Sequence, residues 1–308
     1  MKRVLVTGAR GFIGGPCLAL LRARSYEVHA LSREMRDGMS EGVFWHQADV
    51  LDSASTSRVL HHVRPTHLLH LAWNVIPGQY IQSVENYAWV SASMSLVQRF
   101  AELGGVRVVA AGSSYEYDWN YGFCSETLTP LAPDTVYGTC KHALQVMLQA
   151  AASTLPLSIA WPRIFFLYGP NEHPDRLVSY VIRSLLGGEP AKCSSGNQVR
   201  DYLYIGDAAD ALVALLDSEV AGPINIASGI PVQLRDLVYT IGRIIGRESL
   251  LQLGSIPSRP NDKPLVVGNV QRLRSELSWM PKFTLEQGLA RTIAWWRAQS
   301  VPRPAGVR

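Results

Sequence analysis

Apolar, β-rich segments alternate with helical periodicity through the first half of the chain. Strands are expected near Val4, Val28, Phe44, Leu68, Val108 and Ile159, and helices starting near Phe12, Ser53, Ala88 and Tyr137. Such alternation predicts an α/β fold, a doubly wound parallel sheet with helices on both faces. After Pro162 the pattern loosens. Tyr168-Gly169-Pro170-Asn171 and Gly187-Gly188-Glu189-Pro190 punctuate a helix expected over about 176–186, and the Pro/Ser-rich stretch 254–264 reads as an ordered loop. The main lobe is therefore expected over 1–165 with a return over about 197–228, where Pro223 to Ala227 rejoins the sheet. A smaller mixed α/β lobe takes most of 166–308.

With 308 residues and 47% apolar content, the chain can bury a large core plus a small one. A net charge of +4, with its basic residues dispersed, argues against a nucleic-acid partner and suits an anionic small molecule. Cys17, Cys124, Cys140 and Cys193 show neither a CxxC pair nor metal-ligand spacing, so no metal is expected. No signal peptide precedes the first strand and no apolar run reaches the roughly 18 residues of a membrane span, which together predict a cytoplasmic protein with no membrane partner.

Arg3 to Thr7 runs straight into Gly8-Ala9-Arg10-Gly11-Phe12-Ile13-Gly14, a strand followed by glycines three apart. This spacing predicts a dinucleotide-binding turn: Gly8 for the sharp turn, Gly11 for approach to a pyrophosphate, and Gly14 for close packing of the next helix, whose N-terminal N–H groups face the anion. Tyr137 and Lys141, four apart, share one face of a helix. An ammonium there stabilises a phenolate and should lower the tyrosine pKa toward neutrality for acid/base work. Val106 to Gly112 ends in Ser113-Ser114, placing hydroxyls at the carboxyl edge of a parallel sheet, the usual ligand crevice.

Glycine triplet, strand-end serine and Tyr-x-x-x-Lys, in that order, resemble the extended short-chain dehydrogenase/reductase family of nucleotide-sugar epimerases, dehydratases and ketoreductases. The likeness covers nearly the whole chain, with further matches at Asp49-Val50, His70-Leu71-Ala72, Tyr168-Gly169-Pro170, Gln198 to Tyr202, Arg259 to Asp262 and Leu277 to Pro281. It implies a Rossmann-type NAD(P) enzyme acting on a nucleotide-diphosphate sugar. Ser113, four residues before Tyr117, would bond the reacting oxygen; Tyr137 would exchange a proton with it; Lys141 would also bind the nicotinamide ribose. By position, the resemblance implies cofactor contacts from Gly8, Arg10, Gly11, Phe12, Ile13, Gly14, Asp49, Val50, Leu71, Ala72 and Pro162. Substrate contacts are implied for Trp73, Ser114, Arg200 and Arg259, the two arginines gripping the diphosphate through paired charge-assisted bonds. Phe166 stands where family members often carry an asparagine.

Ser32-Arg33 ends the second strand where an NAD-binding chain usually places Asp or Glu, and Arg10 adds a second cation, so NADP is expected, with NAD the alternative. Ser114 and Tyr115 replace the Asp-Glu pair of the family's 4,6-dehydratases, and Tyr115 and the loop residue His173 offer no epimerising acid/base pair. What remains is NADPH-dependent reduction of a 4-keto-6-deoxy sugar nucleotide. The alternatives are 4-epimerisation with a retained cofactor and a dinucleotide sensor without turnover. Glu116 to Trp119 and Ala72 to Asn74 are expected to shape the sugar pocket. The resemblance further implies a homodimer through helices over about 88–103 and 137–152, with Trp89, Val97, Phe100, Leu144 and Leu148 needing a cover that the sheet does not supply.

Overall fold

The computed structural model describes residues 2–35, 41–258 and 262–300. In chain order the first part carries β1 (Arg3–Thr7), α1 (Gly14–Ala23), β2 (Glu27–Ser32), β3 (Phe44–Gln47), α2 (Ser53–Val63), β4 (His67–His70), α3 (Glu85–Glu102), β5 (Arg107–Ala110), β6 (Gly112–Ser113), β7 (Phe123–Cys124), α4 (Val136–Ala152) and β8 (Ser158–Ile164). There follow β9 (Phe166–Tyr168), α5 (Leu177–Gly187), β10 (Ala191–Lys192), β11 (Val199–Tyr204), α6 (Ile205–Asp217), β12 (Gly222–Ile226), β13 (Pro231–Gln233), α7 (Leu234–Ile245), β14 (Leu251–Gln252), β15 (Leu265–Gly268), α8 (Gln271–Ser275) and α9 (Leu285–Ser300).

The main sheet runs β12-β8-β5-β4-β1-β2-β3, with β6 beside β8, and every pairing is parallel. Its inner strands are buried on both faces because helices cover both, whereas the edge strand β3 is partly exposed. Val4 and Val6 pack with Cys17 and Leu21 of α1 and Leu212 and Leu216 of α6, whereas Leu5, Leu68 and Val108 pack with Leu60, Leu96 and Leu144 of α2, α3 and α4. Each large apolar side chain so buried contributes about 1.5–3 kcal/mol. Strand order reverses between β1 and β4, and the carboxyl ends of these strands, at Thr7 and His70, are where a sheet of this kind places its ligand crevice. This is the Rossmann-type arrangement expected from the alternation.

The smaller sheet, β13-β11-β15-β7 with β9 on β11, is mixed, since only β13 runs antiparallel. Helices α5, α7 and α9 bury Ile182, Leu237 and Leu289 beside it. Of the 197–228 return, β12 joins the main sheet, whereas β11 pairs within the smaller one, between β13 and β15 in its first half and with β9 in its second. The buried Asp201 carboxylate clasps the join, accepting from Ser228 N and Oγ at 2.7 Å, Gly229 N at 2.9 Å and Gly268 N at 3.2 Å.

One expectation is corrected. Trp89, Val97, Phe100, Leu144 and Leu148 are all buried within the chain, because α3 packs directly on α4 and both lie on the sheet. They need no cover from a second chain. The outward sides of these helices instead expose Tyr87, Val146 and Met147.

Candidate active site

Gly8 turns the chain at φ +67°, and a Cβ there would sit 2.8 Å from Ala72 N. The loop is thereby pressed against the end of β4, whose Leu71 and Ala72 amides donate to Thr7 Oγ1 at 3.2 Å. At Gly14 a Cβ would lie 2.2 Å from Gly8 O, so glycine alone lets α1 start this close to the strand. Phe12 and Ile13 lie between, half-buried. Ile13, the N-cap of α1, has no side-chain cap, and the first turn holds no acidic residue. An uncapped helix end without a carboxylate fits a pyrophosphate.

At the end of β2, Ser32 is buried and its Oγ donates to Glu34 O at 2.6 Å, while Arg10 Nη1 reaches the same carbonyl at 3.5 Å. Arg33 is exposed. Asp49 Oδ1 accepts from Leu51 N at 3.0 Å beside the buried Val50. Pro162 lies inside β8, level with Ile224 of β12.

Ser113 ends β6 and caps a short 3-10 turn over Ser114–Glu116. Thr135 caps α4, accepting from Gly138 N at 3.0 Å, and Tyr137 N donates to Ile81 O at 3.0 Å, so the first turn of α4 is fixed at both ends. The Tyr137 phenol is buried beside Ser113. Lys141 Nζ donates to Ala111 O at 2.8 Å and lies 3.7 Å above the Trp73 ring centroid and 5.9 Å from that of Tyr137. The structure thus brings Ser113, Tyr137 and Lys141 together.

The electrostatics differ from the sequence expectation. Burial, then Tyr80, raises the Tyr137 pKa, and Ser113 only partly opposes this. Burial lowers Lys141 to about 7. With its ammonium committed to Ala111 O and the Trp73 face, Lys141 leaves Tyr137 a protonated phenol around neutral pH. Below them His70 is held neutral, its pKa lowered to about 3 by burial and by Lys141. Its Nδ1 lies 2.7 Å from Thr7 Oγ1 and its Nε2 2.8 Å from Ser93 Oγ.

An aromatic wall extends outward from Tyr137. Tyr80 and Tyr115 meet its ring at 4.9 and 5.7 Å, Trp119 packs on Tyr115 at 4.4 Å, and Phe166 bridges Trp119 and Tyr202 at 6.0 and 5.9 Å. Trp73 and Trp119 spend their indole N–H groups on Asn86 Oδ1 and Ser114 O, both at 2.7 Å, which fixes the ring planes. Ser114 and Glu116 are buried, so within Glu116 to Trp119 it is Trp119 that joins the wall; Glu116 does not line a pocket.

Arg200 is buried above Phe166 and paired with Asp262 at 2.5 Å, a carboxylate that also accepts from Gln198 at 3.0 Å. Arg259 lies outside the described residues. Arg176 was missed by sequence reading: at the N-terminus of α5, it lies 5.8 Å over the Tyr80 ring and reaches Val75 O at 3.4 Å. No spacing rule pointed to it, since its place depends on α5 docking against the loop after β4. Nearby Glu172 is buried and raised to about 7 by burial, its bond to Ser179 Oγ at 2.8 Å opposing this. Among the described residues no cluster of His, Cys, Asp and Glu could hold a metal ion, and no helix is long and apolar enough to cross a membrane.

A glycine turn at an uncapped helix start, beside an adjacent Ser–Tyr pair and a buried lysine, fits a dinucleotide-dependent enzyme of the extended short-chain dehydrogenase/reductase type. The chain belongs to the NAD dependent epimerase/dehydratase family, whose sequence model matches residues 4–227. It is 26% identical to a dTDP-glucose 4,6-dehydratase from Xanthomonas campestris over 96% of this chain and 93% of the relative. Among solved structures, the UDP-glucose 4-epimerase of Thermus thermophilus in complex with NAD is 26% identical, with a TM-score of 0.86 over 97% of this chain and 100% of that one. MoeE5 in complex with UDP-glucose and NAD is 29% identical, with a TM-score of 0.81 over 97% and 99%.

Proposed function

We propose that the chain reduces a nucleotide-linked 4-keto-6-deoxy sugar with NADPH. The observation that carries this reading is the buried Tyr137 phenol beside Ser113, kept protonated by burial, which makes it a proton donor to a carbonyl oxygen. The bound dinucleotide would supply the hydride. The α1 N-terminus and the glycine turn would hold its pyrophosphate, Lys141 its nicotinamide ribose, and Arg10 and Arg33 a 2′-phosphate. Ser113 would orient the keto oxygen, and Tyr137 would protonate it as the carbonyl carbon is reduced. Arg200 and Arg176 would meet the diphosphate, with Asp262 giving up its bond to Arg200.

Two features disfavour dehydration: Ser114 and Tyr115 follow the serine where an acid/base pair would stand, and the Glu116 carboxylate is locked against Arg163 at 2.9 Å. The likeness to an NAD-bound 4-epimerase supports a second reading, interconversion of hexose nucleotides with retained NAD. We place the enzyme in the cytoplasm as a homodimer through the outward faces of α3 and α4. The test is to incubate purified protein with nucleotide keto-sugars and follow the absorbance of NADPH and NADH. Oxidation of NADPH with formation of the 4-hydroxy sugar is expected. Tightly held NAD in the purified protein, with epimerisation and no need for reductant, would replace this reading with the second.

A further inference from the structure

Behind Ser113 lies a fully buried ion pair, Glu116 with Arg163, 0% and 1% exposed at the side chain. The Glu116 carboxylate accepts the Arg163 Nε–H at 2.9 Å, the Trp161 indole N–H at 2.9 and 3.0 Å, and the Ser113 backbone N–H at 2.7 Å. Ser113 Oγ in turn accepts from Tyr115 N at 3.3 Å, closing a capping box around the 3-10 turn. Arg163 is itself anchored: its Nη1 donates to Tyr117 Oη at 3.1 Å, which donates to Asn225 Oδ1 at 2.8 Å. A Cβ at residue 112 would fall 2.3 Å from Trp161 Nε1 and 2.7 Å from Glu116 Oε1, so the strand end is built around this carboxylate.

The short segment Ala111 to Ser113 is therefore gripped by opposite charges. Lys141 holds its Ala111 carbonyl at 2.8 Å, and Glu116 holds its Ser113 amide. Burying a charge pair costs desolvation that an apolar pair of equal volume avoids, so stability alone does not account for it. A carboxylate with all its partners met does fix a single geometry.

We propose that Glu116, clamped by Arg163 and Trp161, is a positioning residue: it fixes Ser113 for its bond to the reacting oxygen and supplies the negative charge facing the Lys141 ammonium. This rests on the assignment of Ser113, Tyr137 and Lys141 to the reaction. Lys141 otherwise faces Tyr137 on its own helix, the Trp73 ring from the loop after β4, and the neutral His70 of β4. Burial lowers Lys141 and the charge of Glu116 opposes that.

The test is Glu116→Gln, read in two ways. Turnover of a keto-sugar nucleotide should fall about tenfold to a hundredfold with cofactor affinity kept within about threefold. In parallel, NMR titration of lysine carrying 13C at Cε, with Lys141 assigned through Lys141→Met, should show its midpoint displaced to lower pH by about one unit or more, a change that needs no substrate to be seen. Glu116→Asp, which keeps the charge, should restore most of the midpoint. Should Glu116→Gln not fold, the charge-neutral double variant Glu116→Gln with Arg163→Met takes its place, with the same loss of turnover expected. Parental turnover and an unmoved Lys141 midpoint in a folded variant overturn the proposal. So does a chain that folds only with both charges, which reduces the pair to a fold element. If the parent turns over no keto-sugar nucleotide, the reading of the reaction fails, while the Lys141 titration still decides the role of Glu116.

Discussion

Substituting alanine at two adjacent glycines of α1 separates cofactor binding from fold stability. At Gly14 the new Cβ would lie 2.2 Å from Gly8 O and 2.9 Å from Ala9 Cα, both backbone atoms, against 3.4 Å for ordinary contact. The start of α1 must therefore move off the strand by about 1 Å. Overpacking of this kind costs about 1–3 kcal/mol, while replacing a helical glycine with alanine returns up to about 1 kcal/mol, so the net loss of stability is about 0–3 kcal/mol. Cofactor affinity responds more steeply. The N–H groups proposed to hold the pyrophosphate shift with the helix, and weakening bonds to a charged group worth about 1.5–3 kcal/mol raises Kd roughly tenfold to a hundredfold. Gly15 is the control: its Cβ would meet nothing nearer than Ala9 O at 3.9 Å, so Gly15→Ala should bind as the parent does and melt at the same or a higher temperature. Calorimetric titration with NADP and NAD, beside thermal melts, measures both quantities. Parental affinity in Gly14→Ala, or an equal loss in Gly15→Ala, would refute the placement of the pyrophosphate.

Tyr137→Phe should lower turnover by about a hundredfold or more while cofactor titration stays near parental, because the proton-donating hydroxyl is lost and the ring is kept; turnover close to parental removes Tyr137 from the mechanism. Arg33→Ala should weaken NADPH about tenfold to a hundredfold and leave NADH unchanged, and equal losses for both would withdraw the 2′-phosphate assignment. Lys141 has a folded pKa of about 7, below its ordinary 10.5, so between these values the unfolded chain binds the extra proton and stability should rise with pH. Denaturant melts across that window should show a smaller rise for Lys141→Met than for the parent, and parallel curves would mean that Lys141 is not ionised as described. Met147→Lys, on the exposed side of α4, should convert a dimer to monomer in sedimentation; an unchanged mass places any interface elsewhere.

The strands and the phosphate turn were legible because period and glycine spacing are local signals. Ser113, Tyr137 and Lys141 were named from the order of a strand-end serine and Tyr-x-x-x-Lys that resembles the family's, and the structure brings them together. Their ionisation could not be read this way, since it depends on how deeply Lys141 is buried and on Ala111 O lying within reach, neither of which spacing encodes. The helix faces went wrong where α3 and α4 are apolar on more than one side, and periodicity does not say which side meets a neighbour. Ser113-x-x-Glu116 carries the capping-box spacing, a local signal that places the Glu116 carboxylate back over the strand end and out of the pocket. Arg176 and the Arg200–Asp262 pair are products of long-range docking.

The late return of β12 bears on how the chain is made. Seven of the eight strands of the main sheet have been synthesised by Ile164, but β8 then presents an open edge flanked by apolar side chains. That edge is capped only when Gly222–Ile226 emerges from the ribosome, after most of the smaller sheet's strands, and the Asp201 clasp closes later still, once Gly268 has arrived. An unpaired edge is a template for pairing with another chain. Translation stalled between residues 164 and 222 should therefore leave nascent chains prone to aggregate, and a fragment ending at 165 should need a chaperone or a supplied β12 peptide to stay in solution.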